Sequence, residues 1–100
     1  HETFGPLGST IPVSSTKGLH GHSMGATGAV EALATILALK EQDLPANAGI
    51  TSAEQVDPTL NLDIILGEPR VADSDKPIAL SNSLAFGGLN AVLAFRHYTP

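Results

Sequence analysis

The stretch from Met24 to Gln42, MGATGAVEALATILALKEQ, constrains this chain more than any other, because nine of the eleven residues from Ala29 to Leu39 are apolar. Such a run predicts a helix over 24–42. A helix apolar around most of its circumference demands burial on several sides. One hundred residues make at most one small domain, so the helix asks for more cover than the chain obviously has. Its polar exceptions are Glu31 and Thr35, which share a helical stripe with Thr27 and Gln42. Two readings of that stripe stand side by side. It is the solvent face, or Glu31 is a buried carboxylate that must find a cation, because an unpaired buried charge costs several kcal/mol. Lys17 is then the natural partner.

The rest of the chain is punctuated around this helix. GPLGST is a loop, and Ile11 to Ser15 (IPVSS) is a short strand candidate. TKGLHGH is too glycine-rich to continue either element. DLPANAG stops the helix, and Thr51 with Glu54 three residues later predicts a capping box opening a short turn at Ser52 to Val56. Leu60, Leu62, Ile64 and Leu66 alternate with other residues as a strand would. GEPRVADSDKP reads as a polar connection. Two apolar runs, Ile78 to Ser83 and Leu89 to Phe95, flank LAFGG and predict a hairpin. The expected fold class is α/β, in the order strand, long buried helix, strand, hairpin.

Composition removes several functions. No stretch approaches the roughly 20 apolar residues of a membrane span, and five basic residues scattered against ten acidic ones leave no basic patch for nucleic acid. No membrane or nucleic-acid partner is expected. Zero cysteines exclude disulfides, thiolate metal sites and a thiol nucleophile from these residues. Cytoplasm is the default location. The opening HETFG has neither an initiator methionine nor a leader, so the chain is expected to be a piece of a longer protein or a mature product.

Chemistry concentrates between Ser14 and Glu31. GHSMG, residues 21 to 25, fits the G-x-S-x-G pattern of a nucleophile elbow, with Asp63, Asp73 and His97 following in the order a hydrolase triad takes. An elbow needs a strand running directly into the first glycine, whereas TKGLH intervenes here. Ser23 is therefore expected near the helix N-terminus, satisfying a backbone N–H. His20 and His22 form an H-x-H pair without an evident third ligand, so one acid–base or hydrogen-bonding histidine is the better reading than a metal site. Lys17 is a solvated loop lysine, or it serves a ligand approached closely by the glycine-rich backbone.

VSSTKGLHGHSMGATGAVEA together with LSNSLAFGGLNAVLAF resembles the C-terminal part of a β-ketoacyl-acyl carrier protein synthase, the condensing enzyme of fatty-acid and polyketide synthesis. The likeness runs from Val13 onward, with two motifs in the family's order. It implies a partial thiolase-like fold and one C-terminal portion spanning residues 1–100. It also implies catalytic roles for Lys17 and His22, a supporting role for Glu31, and a gate with a backbone oxyanion donor at Phe86, made mobile by Gly87 and Gly88. Leu84 and Leu89 replace the family's usual aromatic and threonine around that gate.

The implied reaction is decarboxylative Claisen condensation of malonyl-acyl carrier protein with an acyl-enzyme. No cofactor is bound covalently in it, no metal is used, and substrates arrive on the phosphopantetheine of acyl carrier protein. The family's nucleophilic cysteine and its His-Gly-Thr histidine are absent from these residues, so the chain alone is expected to be inactive. A full-length enzyme is expected to be a homodimer, and the isolated chain to self-associate through apolar surface and strand edges. The other functional classes are a small structural or interaction domain and, last, a serine hydrolase.

Overall fold

The computed structural model describes residues 1–73, 78–98 and 100. The chain divides into two compact units, each assembled from two segments: His1–Gly21 with Leu44–Arg70, and His22–Asp43 with Val71–Pro100. The last four residues of the expected polar connection, 74–77, lie outside the described residues.

The first unit is held by very short strands and by loops. Pro12–Val13 pairs in parallel with Asp63–Ile64, Pro12 opposite Asp63 and Val13 opposite Ile64. The Ile65 N–H donates to the Val13 carbonyl at 3.0 Å, and the Asn47 N–H donates to the Ile65 carbonyl at 3.0 Å. Residues 63–66 therefore run between the 12–13 and 47–50 segments, and Ile65 at their centre is only 2% exposed. The alternation from Leu60 to Leu66 overstates this strand. Pro58–Leu60 is instead a 3-10 turn, capped by the Asp57 carboxylate on the Thr59 N–H, and Asn61 then takes a left-handed conformation with φ +48°. Proline at the first helical position favours that turn, so the regular strand starts only at Asp63. The capping box is likewise shifted by one residue: Ser52 with Gln55, rather than Thr51 with Glu54, opens the 3-10 turn Ala53–Gln55.

TKGLH, expected to be irregular, forms the one-turn helix α1, Lys17–His20. It lies against the 45–50 segment, and Gly18 makes the approach possible, since a Cβ there would sit 3.0 Å from both the Ala48 Cβ and the Ala48 carbonyl oxygen.

The second unit contains the expected helix and hairpin. The helix α2, Thr27–Glu41, is preceded by a 3-10 turn, Met24–Ala26. It ends where Gln42 turns left-handed and its N–H caps the Ala38 carbonyl. The hairpin pairs Ile78–Ala85 with Leu89–Arg96 in antiparallel register, from Ile78 opposite Arg96 to Ala85 opposite Leu89. Its loop is only Phe86–Gly88, where Gly87 and Gly88 both have positive φ (+87° and +82°), a conformation open to glycine without a Cβ penalty. α2 packs on the hairpin, and the small residues Ala79, Ser81 and Ser83 are the covered ones on the first strand.

Burial of α2 on several sides is not reached. Only Thr27 and Leu39 are buried, whereas Leu33, Ile36 and Leu37 are 57%, 45% and 47% exposed. Within this unit the physical reason is supply: a two-stranded hairpin covers one side of a helix. The polar stripe is correspondingly not the solvent face, since Thr27 is buried and Glu31, Thr35 and Gln42 are half-buried.

Candidate active site

The sequence-predicted site residues are divided between the two units. Lys17 belongs to the first unit, on α1, and is half-buried. His22, Glu31 and Phe86 belong to the second.

His20 is consumed locally. Its Nδ1 lies 2.9 Å from the Gly21 carbonyl oxygen and must donate to it, so in the neutral ring Nε2 accepts from the Thr16 hydroxyl at 2.7 Å. Neither ring nitrogen is left for a metal. Among the described residues, no group of three or more His, Cys, Asp or Glu side chains could hold a metal ion.

His22 sits where the chain enters the Met24–Ala26 turn. The Met24 N–H donates to its Nδ1 at 3.1 Å. An N–H can donate only to a bare ring nitrogen, so the proton of neutral His22 is on Nε2. The contact also secures Met24, which holds a left-handed φ of +50°, a conformation that disfavours non-glycine residues by about 1–2 kcal/mol. His22 thus performs the task the sequence assigned to Ser23, satisfying a backbone N–H at the helix entrance. Ser23 is the N-cap of the 3-10 turn but makes no side-chain cap bond. Its hydroxyl lies 3.3 Å from the Thr27 hydroxyl. No strand enters Gly21, because α1 directly precedes it, and a serine after a helix end is not at a nucleophile elbow.

Glu31 stands one turn beyond Thr27 on the inward stripe, and the Thr35 hydroxyl donates to the Glu31 carbonyl at 2.8 Å. Phe86 stands fully exposed on the hairpin loop. Gly28 lies against Ser83, where an added Cβ would meet the serine hydroxyl at 3.6 Å. The first turn of α2 and the loop end of the hairpin therefore share one end of the second unit. A shallow, mostly apolar groove of about 320 Å³ lies elsewhere, in the first unit, between Leu19, Pro45, Asn47 and Pro69, and holds none of the predicted residues.

Two residues escaped the sequence reading. Thr27, 6% exposed, places its hydroxyl 2.8 Å from His22 Nδ1; its membership of the polar stripe was the available signal. Asn47 accepts the Ser15 N–H on Oδ1 at 2.8 Å and donates to the Ile65 carbonyl at 3.0 Å, tying the approach to Lys17 to the buried 63–66 segment. Nothing in the local pattern around Asn47 pointed to it.

The family profile described as β-ketoacyl synthase, C-terminal domain, matches residues 1–51. This chain belongs to the β-ketoacyl synthase family, as a C-terminal part of its thiolase-like fold. It is 43% identical over 88 residues to 3-oxoacyl-[acyl-carrier-protein] synthase 2 of Synechocystis sp. (strain ATCC 27184 / PCC 6803 / Kazusa), covering 88% of this chain and 20% of that protein. It is also 43% identical over 96 residues to the protein of the same name from Staphylococcus aureus (strain COL), covering 96% of this chain and 22% of that one. The chain spans about a fifth of the length of these curated relatives.

Proposed function

We propose that residues 1–100 are a single C-terminal portion of a 3-oxoacyl-[acyl-carrier-protein] synthase, and that His22, Lys17, Glu31 and Phe86 serve its decarboxylative condensation. The observation that carries this reading is the tautomer of His22. With Nδ1 accepting from the Met24 N–H, Nε2–H is the available donor, and an oxygen that becomes an enolate needs such a donor. In the reaction, the bond between the malonyl carboxylate and its α-carbon breaks, carbon dioxide leaves, and the electron pair moves into the thioester as an enolate. The enolate carbon then attacks an acyl thioester held on a cysteine from the rest of the enzyme, a carbon–carbon bond forms, and the thiolate is released.

Lys17 paired with Glu31 sets the charge and orientation around that histidine. The inward placement of Glu31's stripe supports this, because a half-buried carboxylate demands a cation or several donors. Phe86 is the gate and its N–H an oxyanion donor, with Gly87 and Gly88 as the hinge. Substrates arrive on the phosphopantetheine of acyl carrier protein, in the cytoplasm, to a homodimeric enzyme. No helix of the described residues is long and apolar enough to cross a membrane.

The chain by itself is inactive in this reading, because it has no cysteine and one of two enolate donors. Incubating it with malonyl-acyl carrier protein and following carbon dioxide should give the same background for the native chain and for His22→Ala. In a full ketosynthase carrying these residues, His22→Ala should lower decarboxylation by roughly 10²–10³-fold. An unchanged rate there would sink the assignment.

A further inference from the structure

The hydrogen count at His22 leaves one hydroxyl pair unexplained. Nδ1 is bare, since it accepts the Met24 N–H at 3.1 Å. The Thr27 hydroxyl is 2.8 Å from the same nitrogen, and between a bare nitrogen and a hydroxyl the only hydrogen is the hydroxyl's, so Thr27 donates. With its hydrogen committed, the Thr27 oxygen can only accept from Ser23, whose hydroxyl is 3.3 Å away. Direction thus propagates from Ser23 to Thr27 to His22. Thr27 is 6% exposed, and a buried threonine hydroxyl left without a partner is costly, so this arrangement also satisfies Thr27 itself.

We propose that Thr27 is a positioning residue for His22, and that Ser23 orients the Thr27 hydroxyl, so that the two hydroxyls fix the imidazole in the tautomer with its proton on Nε2. The serine of GHSMG thereby acquires a role two bonds removed from the chemistry, as the outer donor of a relay rather than a nucleophile. This rests on the reading of His22 as an enolate donor, and it separates from that reading experimentally.

The test is the ring ¹⁵N–¹H correlation spectrum of the histidine-labelled chain, which reads the tautomer without any substrate. Thr27→Val keeps the shape and removes the hydroxyl, while Thr27→Ser restores it. Loss of one net hydrogen bond corresponds to about a five-fold change in an equilibrium, so Thr27→Val should raise the share of the Nδ1–H tautomer about five-fold. Thr27→Ser should return it to the native value, and Ser23→Ala should move it in the same direction by less. In a full ketosynthase carrying these residues, Thr27→Val should lower kcat only in proportion to the fall in the Nε2–H share, with KM unchanged, again rescued by serine. A native tautomer ratio in Thr27→Val overturns the relay, because Met24 alone then suffices. If Thr27→Val does not fold, Ser23→Ala decides in its place, and an unshifted ratio there overturns the relay equally. Failure of the enolate-donor reading looks different: His22→Ala would leave the rate unchanged while the tautomer still responded to Thr27.

Discussion

The first unit has almost no regular secondary structure, yet it encloses Ile65 to 2% exposure. The second contains a 15-residue helix and two eight-residue strands, yet it leaves Leu33, Leu37, Leu84 and Leu89 at 47% exposed or more. Regularity and burial are therefore separate achievements here. In the first unit, 63–66 is hydrogen-bonded between two other segments of the same unit, and all four of its residues are buried or half-buried. In the second, helix and hairpin satisfy their own backbones internally, while many of their large apolar side chains stay exposed. A helix and a two-stranded ribbon are completed by further layers. In a chain about a fifth of its relatives' length, the exposed leucines are what the proposed fragment would present.

The largest expected effect breaks this comparison directly. Ile65→Ala should destabilise the first unit by about 2–5 kcal/mol, as truncation of a buried aliphatic does, and Leu37→Ala should cost less than about 1 kcal/mol. Urea unfolding of both variants measures the pair. Equal costs would show that the outer face of α2 is packed in solution, and a light-scattering mass above 10.3 kDa would identify the cover as a second copy.

A smaller effect sharpens the account of the first unit. Asn47→Ala removes an acceptor from the Ser15 N–H and a donor from the Ile65 carbonyl, at a cost of about 1–3 kcal/mol. Hydrogen exchange should show Ser15 and α1 losing protection while the hairpin amides keep theirs. Asn47→Asp retains the acceptor and should preserve the Ser15 amide. Loss of hairpin protection as well would mean that the two units unfold together.

The smallest effect is electrostatic. The Asp57 carboxyl is held below its ordinary value, chiefly by the Thr59 hydroxyl and then by the Thr59 N–H. A depressed carboxyl contributes stability that is fully present above its unfolded value, about 3.9, and is lost as pH falls through the lower folded value. The side-chain ¹³C titration of Asp57 should therefore shift upward in Thr59→Val, which removes the larger cause and keeps the N–H. No shift would assign the effect to the backbone alone.

Periodicity and turn chemistry in the sequence determined a helix over 24–42, of which Thr27–Glu41 is α-helical and Met24–Ala26 a 3-10 turn, and the hairpin around residues 86–88, because each closes its hydrogen bonds within itself or with its neighbour in the chain. The proposed site residues Lys17, His22, Glu31 and Phe86 were named from contiguous segments that resemble the family's motifs. Tertiary structure alone decided the rest. The strand at Asp63–Ile64 starts late because the Pro58–Leu60 turn and left-handed Asn61 occupy the residues before it, and its parallel partner, Pro12–Val13, lies about fifty positions away and leaves no trace in local alternation. Asn47 became a tie because 45–50 came to lie beside Ile65. The inward turn of the Thr27, Glu31 and Thr35 stripe was undecidable from an all-apolar helix, since nearly every face offers similar apolar area. α2 packs on the hairpin with Gly28 against Ser83, where small residues let the two segments approach closely.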